Sequence, residues 1–250
     1  MNTNPKYILF DTETTGNKDD DKIIQLGFMV VEHGNDVEVY DELNSTDVDI
    51  KIEAMEVHNI TPNMLKNKPL LKDTKGYQRF CELNDSNNYL IAHNIKFDLD
   101  MVQKEGFINN MKTIDTLRCA SHLFDELSAH RLQFLRYELG IYKEEESEAQ
   151  KLGVTIKAHD AIGDVLIMKL LLSKLVAKTK EKFEGIKNVE IMEKLVSLTQ
   201  TPVHIKIFKF GKYKGEHIQD IANSDIGYLR WMRDKLELDE DMKYTLDFYL

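Results

Sequence analysis

The sequence predicts an α/β protein, with a mixed five-stranded sheet flanked by helices and a small C-terminal α+β module. Three observations carry that expectation. Short β-branched and aromatic runs bounded by turn residues come first as a meander and then alternate with stretches of helical periodicity. The second and third runs are joined by Glu32-His33-Gly34-Asn35-Asp36, which reads as a hairpin connection. Thr201-Pro202 then breaks the chain after a Lys- and Glu-rich stretch, which sets residues 202–250 apart.

Taken in order, strands are expected at about 6–10, 23–32, 36–43, 88–92 and 111–114. The first, Tyr7-Ile8-Leu9-Phe10, lies between Pro5 and Gly16 and has the run of apolar residues typical of a buried strand. Helices are expected near 70–83, 95–105, 115–123, 130–139 and 160–182, and a further helical pattern covers 189–199. Phe97, Met101 and Val102 mark the buried stripe of the second of these. Ala161, Val165, Met168, Leu172 and Leu175 mark that of the longest, whose Lys- and Glu-rich tail runs to near Gly185. The organisation expected is therefore a main domain over 1–178, a helical linker over 179–201 and a small module over 202–250.

Three short segments carry the chemistry: Phe10-Asp11-Thr12-Glu13-Thr14-Thr15-Gly16, Ala92-His93-Asn94-Ile95-Lys96-Phe97-Asp98 and His159-Asp160-Ala161-Ile162-Gly163-Asp164. Side chains two apart on a strand share a face, so Asp11 and Glu13 project together from a carboxyl-terminal strand end, where sites of open α/β sheets are built. Asn94 is expected to cap the helix that holds Asp98, and Asp160 to cap the long helix that holds Asp164, with His159 in the entering loop. Four carboxylates in one cleft repel each other and any phosphate, unless cations are present. Hard oxygen ligands suit Mg²⁺ or Mn²⁺. Two such ions can stabilise the attacking and leaving oxygens of an in-line displacement, and a nearby His can take a proton from the attacking water. The expectation is a two-metal phosphodiester-cleaving site.

These segments resemble the three motifs of the DEDDh superfamily of 3′–5′ exonucleases, whose members include the epsilon subunit of DNA polymerase III, ribonuclease T and exonuclease X. F-D-x-E-T-T-G matches at Phe10 to Gly16, H-N-x-x-F-D at His93 to Asp98, and H-x-x-x-x-D at His159 to Asp164. Val57-His58-Asn59-Ile60-Thr61 is similar to the family's H-G-I-T stretch, with Asn for the usual Gly, and Ile114-Asp115-Thr116-Leu117 to its I-D-T-L stretch. The similarity covers roughly residues 6 to 175. It implies an RNase H-like exonuclease fold and a metal-dependent exonuclease releasing nucleoside 5′-monophosphates from the 3′ end. Asp11, Glu13, Asp98 and Asp164 would then hold two divalent cations, Mg²⁺ with Mn²⁺ as substitute, and Asp11 would bridge both. His159 would be the general base, and Thr14, Thr15, Gly16, His58 and Asn94 would contact substrate or order its surroundings. The histidine separates this branch from a sister branch that uses tyrosine.

The net charge is −10, from 33 basic and 43 acidic residues, which predicts weak nonspecific binding to nucleic acid. Asp19-Asp20-Asp21 lacks calcium-loop spacing and reads as a solvated turn. Cys81 and Cys119 are too far apart in sequence for a zinc motif and read as buried thiols of a reducing cytosol. No apolar run reaches membrane-spanning length, and no signal-peptide pattern opens the chain, so a cytoplasmic protein without a membrane partner is expected. No nucleotide-hydrolysing loop, serine-hydrolase elbow or zinc-protease helix is present.

The module opens with Ile205-Lys206-Ile207-Phe208-Lys209-Phe210-Gly211-Lys212-Tyr213-Lys214-Gly215, with four lysines, three aromatics and no acid. Two readings stand side by side. Lys209, Lys212, Tyr213 and Lys214 make accessory contacts to nucleic acid, or the aromatics pack under Tyr228, Leu229 and Trp231 while the lysines are simply solvated. The stretch, with Tyr228-Leu229-Arg230-Trp231-Met232, resembles a small domain that follows exonuclease X-like domains. The ligand expected is single-stranded or 3′-ended nucleic acid, DNA before RNA, with a polymerase or repair partner. The alternatives are a 3′–5′ exoribonuclease and a non-catalytic nucleic-acid-binding adaptor that kept the fold.

Overall fold

A computed structural model of the chain describes residues 4–32, 36–156 and 160–250. The chain divides into two compact units, one formed by the chain up to Thr116 with Leu132–Lys174, the other by Leu117–Arg131 with Leu175–Leu250.

The first unit is built on five strands, β1 (Tyr7–Thr14), β2 (Ile23–Val31), β3 (Val37–Leu43), β4 (Tyr89–Ala92) and β5 (Lys112–Asp115), in the order β3-β2-β1-β4-β5. The first three form an antiparallel meander, while β4 and β5 run parallel to β1. The turn expected to join β2 and β3 includes His33, Gly34 and Asn35, which lie outside the described residues. β1 continues four residues past the expected end, because β2 pairs with it through Asp11↔Gly27, Thr12↔Leu26 and Glu13↔Gln25 before a bulge at Glu13/Thr14. Its pairing with β4 stops at Leu9↔Ile91. From Phe10 onward, one edge of β1 is therefore open towards whatever follows β4.

Period-two alternation sorts β1 and β2 into two faces. Ile8, Phe10, Leu26, Phe28 and Val30 pack beneath α3 (Lys75–Glu82), with Phe80 making ring contacts to Phe10 at 5.3 Å and Phe28 at 5.5 Å. Before α3 lie α1 (Ile52–His58) and α2 (Pro62–Leu65), which the sequence analysis did not anticipate. Both are shorter than the two turns needed to show a periodic stripe. The expected helix at 70–83 is a 3₁₀ turn at Leu71–Asp73 followed by α3 from Lys75. Cys81 is exposed, not buried as expected, since α3 turns Tyr77 and Phe80 inward.

α4 (Ile95–Lys104) and α5 (Thr116–Leu123) start close to their expected positions, followed by α6 (Leu132–Glu138) and an unexpected α7 (Glu145–Leu152). α8 (Ala161–Lys182) is the long helix.

The second unit contains the end of α8, α9 (Ile191–Gln200), α10 (Ile218–Ser224), α11 (Ile226–Lys235) and α12 (Glu240–Tyr249). Its β component is a hairpin held by the antiparallel bridge Ile207↔His217. Phe208, Ile218, Ile221, Leu229, Met232, Leu238, Met242 and Leu246 form its core. Arg118 ties the unit together, donating to the Thr199 carbonyl at 2.8 Å, the Thr201 carbonyl at 2.6 Å and the Asp241 carboxylate at 3.1 Å. Cys119 is buried here and donates to the Leu195 carbonyl at 3.3 Å. Among the described residues no helix is long and apolar enough to cross a membrane.

Candidate active site

Asp11 and Glu13 lie on the β1 face opposite Phe10. Thr12 lies on the other, and there it holds Asp98. Its hydroxyl donates to Asp98 Oδ1 at 2.7 Å and its N–H to the same oxygen at 3.1 Å. That N–H is available because β4 no longer pairs at this height. α4 follows β4 directly, so its first turn delivers Asp98 to the open edge. Asn94 occupies the N-cap position but does not cap with its side chain, as had been expected. It adopts φ +71°, and its N–H donates to buried Asp115 at 3.0 Å. His93 Nδ1 lies 2.9 Å from the Thr116 hydroxyl, which donates to the Ala92 carbonyl at 3.2 Å. His93 and Asn94 thus order the β4–α4 turn, with Asp115 and Thr116 as anchors that the sequence showed only as part of a strand-end motif.

The third carboxylate segment is brought in by a glycine. Gly27 pairs with Asp11, and a Cβ placed on it would lie 2.7 Å from Ile162 N and 2.8 Å from the Ala161 carbonyl carbon. The start of α8 therefore rests directly on β2 backbone, on the face that carries Asp11 and Glu13. Gln25 fastens it, donating from Nε2 to Asp160 Oδ1 at 3.0 Å and to Asp41 Oδ1 at 2.7 Å. Asp164 accepts from Gln133 Nε2 at 2.8 Å. Gln133 is in turn held by Arg136 at 3.1 Å, and Arg136 forms a two-pronged pair with Glu145 of α7. Neither Gln25 nor Gln133 carried a motif signal. His159, the expected base, lies outside the described residues.

The turn after β1 is braced from below. Asp21, expected in a solvated turn, is fully buried. It accepts from the Thr15 hydroxyl at 2.8 Å and Lys18 N–H at 2.7 Å, and it pairs with the Lys51 ammonium. Thr15 is correspondingly buried with its hydroxyl engaged, so it shapes the turn rather than meeting a substrate as expected. The Thr14 hydroxyl donates to the Gly16 carbonyl at 2.6 Å. Gly16 has no room for a Cβ, which would sit 2.5 Å from Asp21 Oδ2. Burial alone would raise the Asp21 pKa, but the bonds from Lys51, Lys18 and Thr15 overcome it and hold the carboxyl below its ordinary value. Asp21→Ala is expected to cost about 1–3 kcal/mol of stability through its stranded donors. Since the native pKa is depressed, that contribution is present above the unfolded value of about 3.9. It is lost as pH falls through the lower native value. Urea melts of both proteins from neutral pH into acid test this, and a gap that did not shrink in acid would exclude the carboxylate as its source.

His58 is buried beside the turn. Its Nδ1 accepts from Ile60 N–H at 2.9 Å, so Nε2 carries the proton and donates to the Thr14 carbonyl at 3.2 Å. Burial lowers its pKa, and the bond to Thr14 opposes this. Asn59 takes the left-handed conformation, φ +61°, as the C-cap of α1, so the replacement of the family's Gly leaves the loop's turn intact. A cleft of about 520 Å³ opens here, lined by Glu13, Thr14, Gly16, Lys51, Val57, His58 and Phe97 among others.

The four carboxylates act on one another. Burial and then the charges of Asp98, Glu13, Asp164 and Asp160 push Asp11 well above the usual range. Burial, then Asp164, Asp98 and Asp160, push Glu13 to about 8. Asp98 is pushed up to about 7, mainly by burial, against the opposing bonds from Thr12. Among the described residues, no three Asp, Glu, His or Cys side chains close into a ready-made metal cluster. The donor set nonetheless fits hard divalent cations: several carboxylate oxygens held close enough to raise one another's proton affinity.

The five-stranded sheet is RNase H-like in its fold, and acids gather near the ends of β1 and β4. The chain belongs to the exonuclease family, whose model matches residues 8–172. That family is divalent-metal dependent. A second model, for the C-terminal region of exodeoxyribonuclease X-like proteins, matches residues 208–237. The chain is 26% identical to Exodeoxyribonuclease 10 of Escherichia coli K12, over 97% of each sequence. It is 31% identical to the DNA polymerase III epsilon subunit of Treponema pallidum, over 54% of this chain and 65% of that one. A solved exonuclease X in complex with 5′ overhanging duplex DNA shares the fold, with a TM-score of 0.54 and 23% identity, over 76% of this chain and 99% of that one.

Proposed function

We propose that this exonuclease removes nucleotides from the 3′ end of DNA as nucleoside 5′-monophosphates. The observation that supports this is the gathering of Asp11, Glu13, Asp98 and Asp164, drawn from three segments, beside the end of β1, where Thr12 holds Asp98 and Gly27 admits the start of α8. These four would hold two Mg²⁺ ions, with Mn²⁺ as substitute. When bound, such ions supply a nucleophilic water and stabilise the leaving oxygen. His159 takes the proton of the attacking water. Thr14 and Gly16 form the edge against the terminal nucleotide, whose base would rest on Phe97 and Val57 in the cleft. His58 and Thr15 fix that edge through the Thr14 carbonyl and Asp21, and Asn94 fixes the approach of Asp98.

The names of the relatives support DNA over RNA and a place in replication or repair, with a polymerase or repair protein as partner; a cytoplasmic location is proposed with them. The two family matches, over residues 8–172 and 208–237, support an exonuclease domain within the expected 1–178 and an accessory module within 202–250, while 179–201, expected as a linker, belongs to the same compact unit as that module.

Matched 5′- and 3′-labelled single-stranded DNA and RNA, incubated with Mg²⁺, Mn²⁺ or chelator, test the proposal. A metal-dependent ladder that shortens 5′-labelled DNA from its 3′ end is expected, with RNA cut more slowly. Shortening from the 5′ end would overturn the polarity, and faster RNA cleavage would move the assignment to an exoribonuclease. His159→Ala is expected to lose at least about 100-fold in rate, while keeping oligonucleotide affinity and ion-induced stabilisation. Binding without cleavage by the unmodified protein, in both metals, would make it an adaptor.

A further inference from the structure

Around the hairpin and α11, the second unit separates its aromatic residues into two groups. Phe208 is buried, and Tyr213 donates its phenol to Asp225 at 2.6 Å. Lys212 pairs with the same carboxylate at 3.3 Å and lies 4.5 Å over the Tyr213 ring. Asp225 also caps α11 by accepting from Tyr228 N–H at 3.2 Å. Tyr213 and Lys212, expected to reach nucleic acid, are therefore committed to holding the hairpin on α11.

The second group faces solvent. Phe210 is 45% exposed and Trp231 49%. They belong to one stretch of surface. Gly211, at φ +76°, leaves no space for a Cβ, which would sit 2.5 Å from the Tyr228 hydroxyl. The Phe210 turn thus rests on Tyr228, and the Tyr228 ring stacks on Trp231 at 5.6 Å and 30°. Lys209 and Lys214 flank Phe210, and Arg230 precedes Trp231. All three are exposed, and no acid among the described residues is paired with them. A chain with a net charge of −10 thus presents cations beside two solvated rings.

We propose that Trp231 and Phe210, with Lys209, Lys214 and Arg230, form a binding surface for single-stranded nucleic acid. Unpaired bases stack on the two rings, and the cations meet the phosphates. Every base offers a π-face, so the surface holds strands without regard to sequence. The charges select against an apolar partner protein. This extends the exonuclease reading, which supplies the ligand class, but binding here requires no catalysis.

Trp231 is the chain's sole tryptophan, so its emission reports on this surface alone. The protein in chelator is titrated with an oligothymidylate of about 16 nucleotides. Saturable quenching that weakens as salt rises is expected. Labelled-oligonucleotide anisotropy should show affinity falling about ten-fold in Trp231→Ala and in Phe210→Ala. Trp231→Phe should retain most of it, and Lys209→Ala with Lys214→Ala should flatten the salt dependence. Hydrolysis of a dinucleotide should stay unchanged in all of them, which also shows that they fold. Binding by anisotropy with a silent Trp231 would overturn the proposal. So would quenching that follows protein concentration without oligonucleotide, which would mark a self-association face. An inactive protein that still shows the quenching would sink the catalytic reading and leave this one standing.

Discussion

Asp11→Asn is expected to abolish cleavage and, in chelator, to raise the melting temperature. The loss of rate should be on the order of 10³-fold, since an electrostatic group at the reacting centre is removed. The gain in stability follows from the same geometry. Asp11, Glu13 and Asp98 all have raised native proton affinities, through burial and mutual repulsion. Between the unfolded carboxyl value of about 4 and the native values, the folded state binds more protons than the unfolded state. Stability in chelator should therefore fall as pH rises over that interval, up to the Glu13 value of about 8. Divalent ions should reverse the fall. Asp11→Asn should flatten the pH dependence and reduce the ion-induced shift. Thermal melts across pH, with chelator and with Mn²⁺, check both. A variant less stable than its parent in chelator would show that the carboxylates do not repel as described.

Gly27→Val is expected to lose activity and stability together. No catalytic residue is altered, yet the new side chain would collide with backbone at Ile162 and Ala161. Backbone cannot rotate away as a side-chain tip can. The cost should reach or exceed the roughly 1–3 kcal/mol of ordinary overpacking. Asp164 would be carried off its position with the start of α8. Gly27→Ala should lie between the two. Melting temperature and Mn²⁺-dependent stabilisation provide the check, and an unchanged melting temperature with full activity would mean that α8 yields freely.

Asp11, Glu13, Asp98 and Asp164 stood out in the sequence because acids at strand ends and first helical turns are rare in combination and occur in a fixed order. The sheet was legible too, since each strand is a short apolar run between turn residues. The supports were not. Asp21 lies in a run of three acids that looks like solvated loop, and only the folded turn shows it buried under Thr15 with Lys51 as its partner. Gln25 and Gln133 act over separations of 135 and 31 residues, and no local pattern encodes such contacts. Gly27 reads as a weak point in a strand until α8 is seen lying on it. In the second unit, composition offered lysines and rings without saying which were spoken for. Asp225, outside the basic stretch, claims Lys212 and Tyr213 and leaves Phe210 outside.

By itself, the sequence determined the order of the five strands and of the helices with a clear apolar stripe, and singled out the acids that could act, because periodicity and strand-end position are local properties of the chain. The tertiary structure decided that these acids meet. It did so through an unpaired edge of β1 that takes Asp98, a missing side chain at Gly27 that admits α8, and a buried Asp21 that sets the turn. Each of these depends on what lies across from a residue in space, which spacing along the chain does not carry.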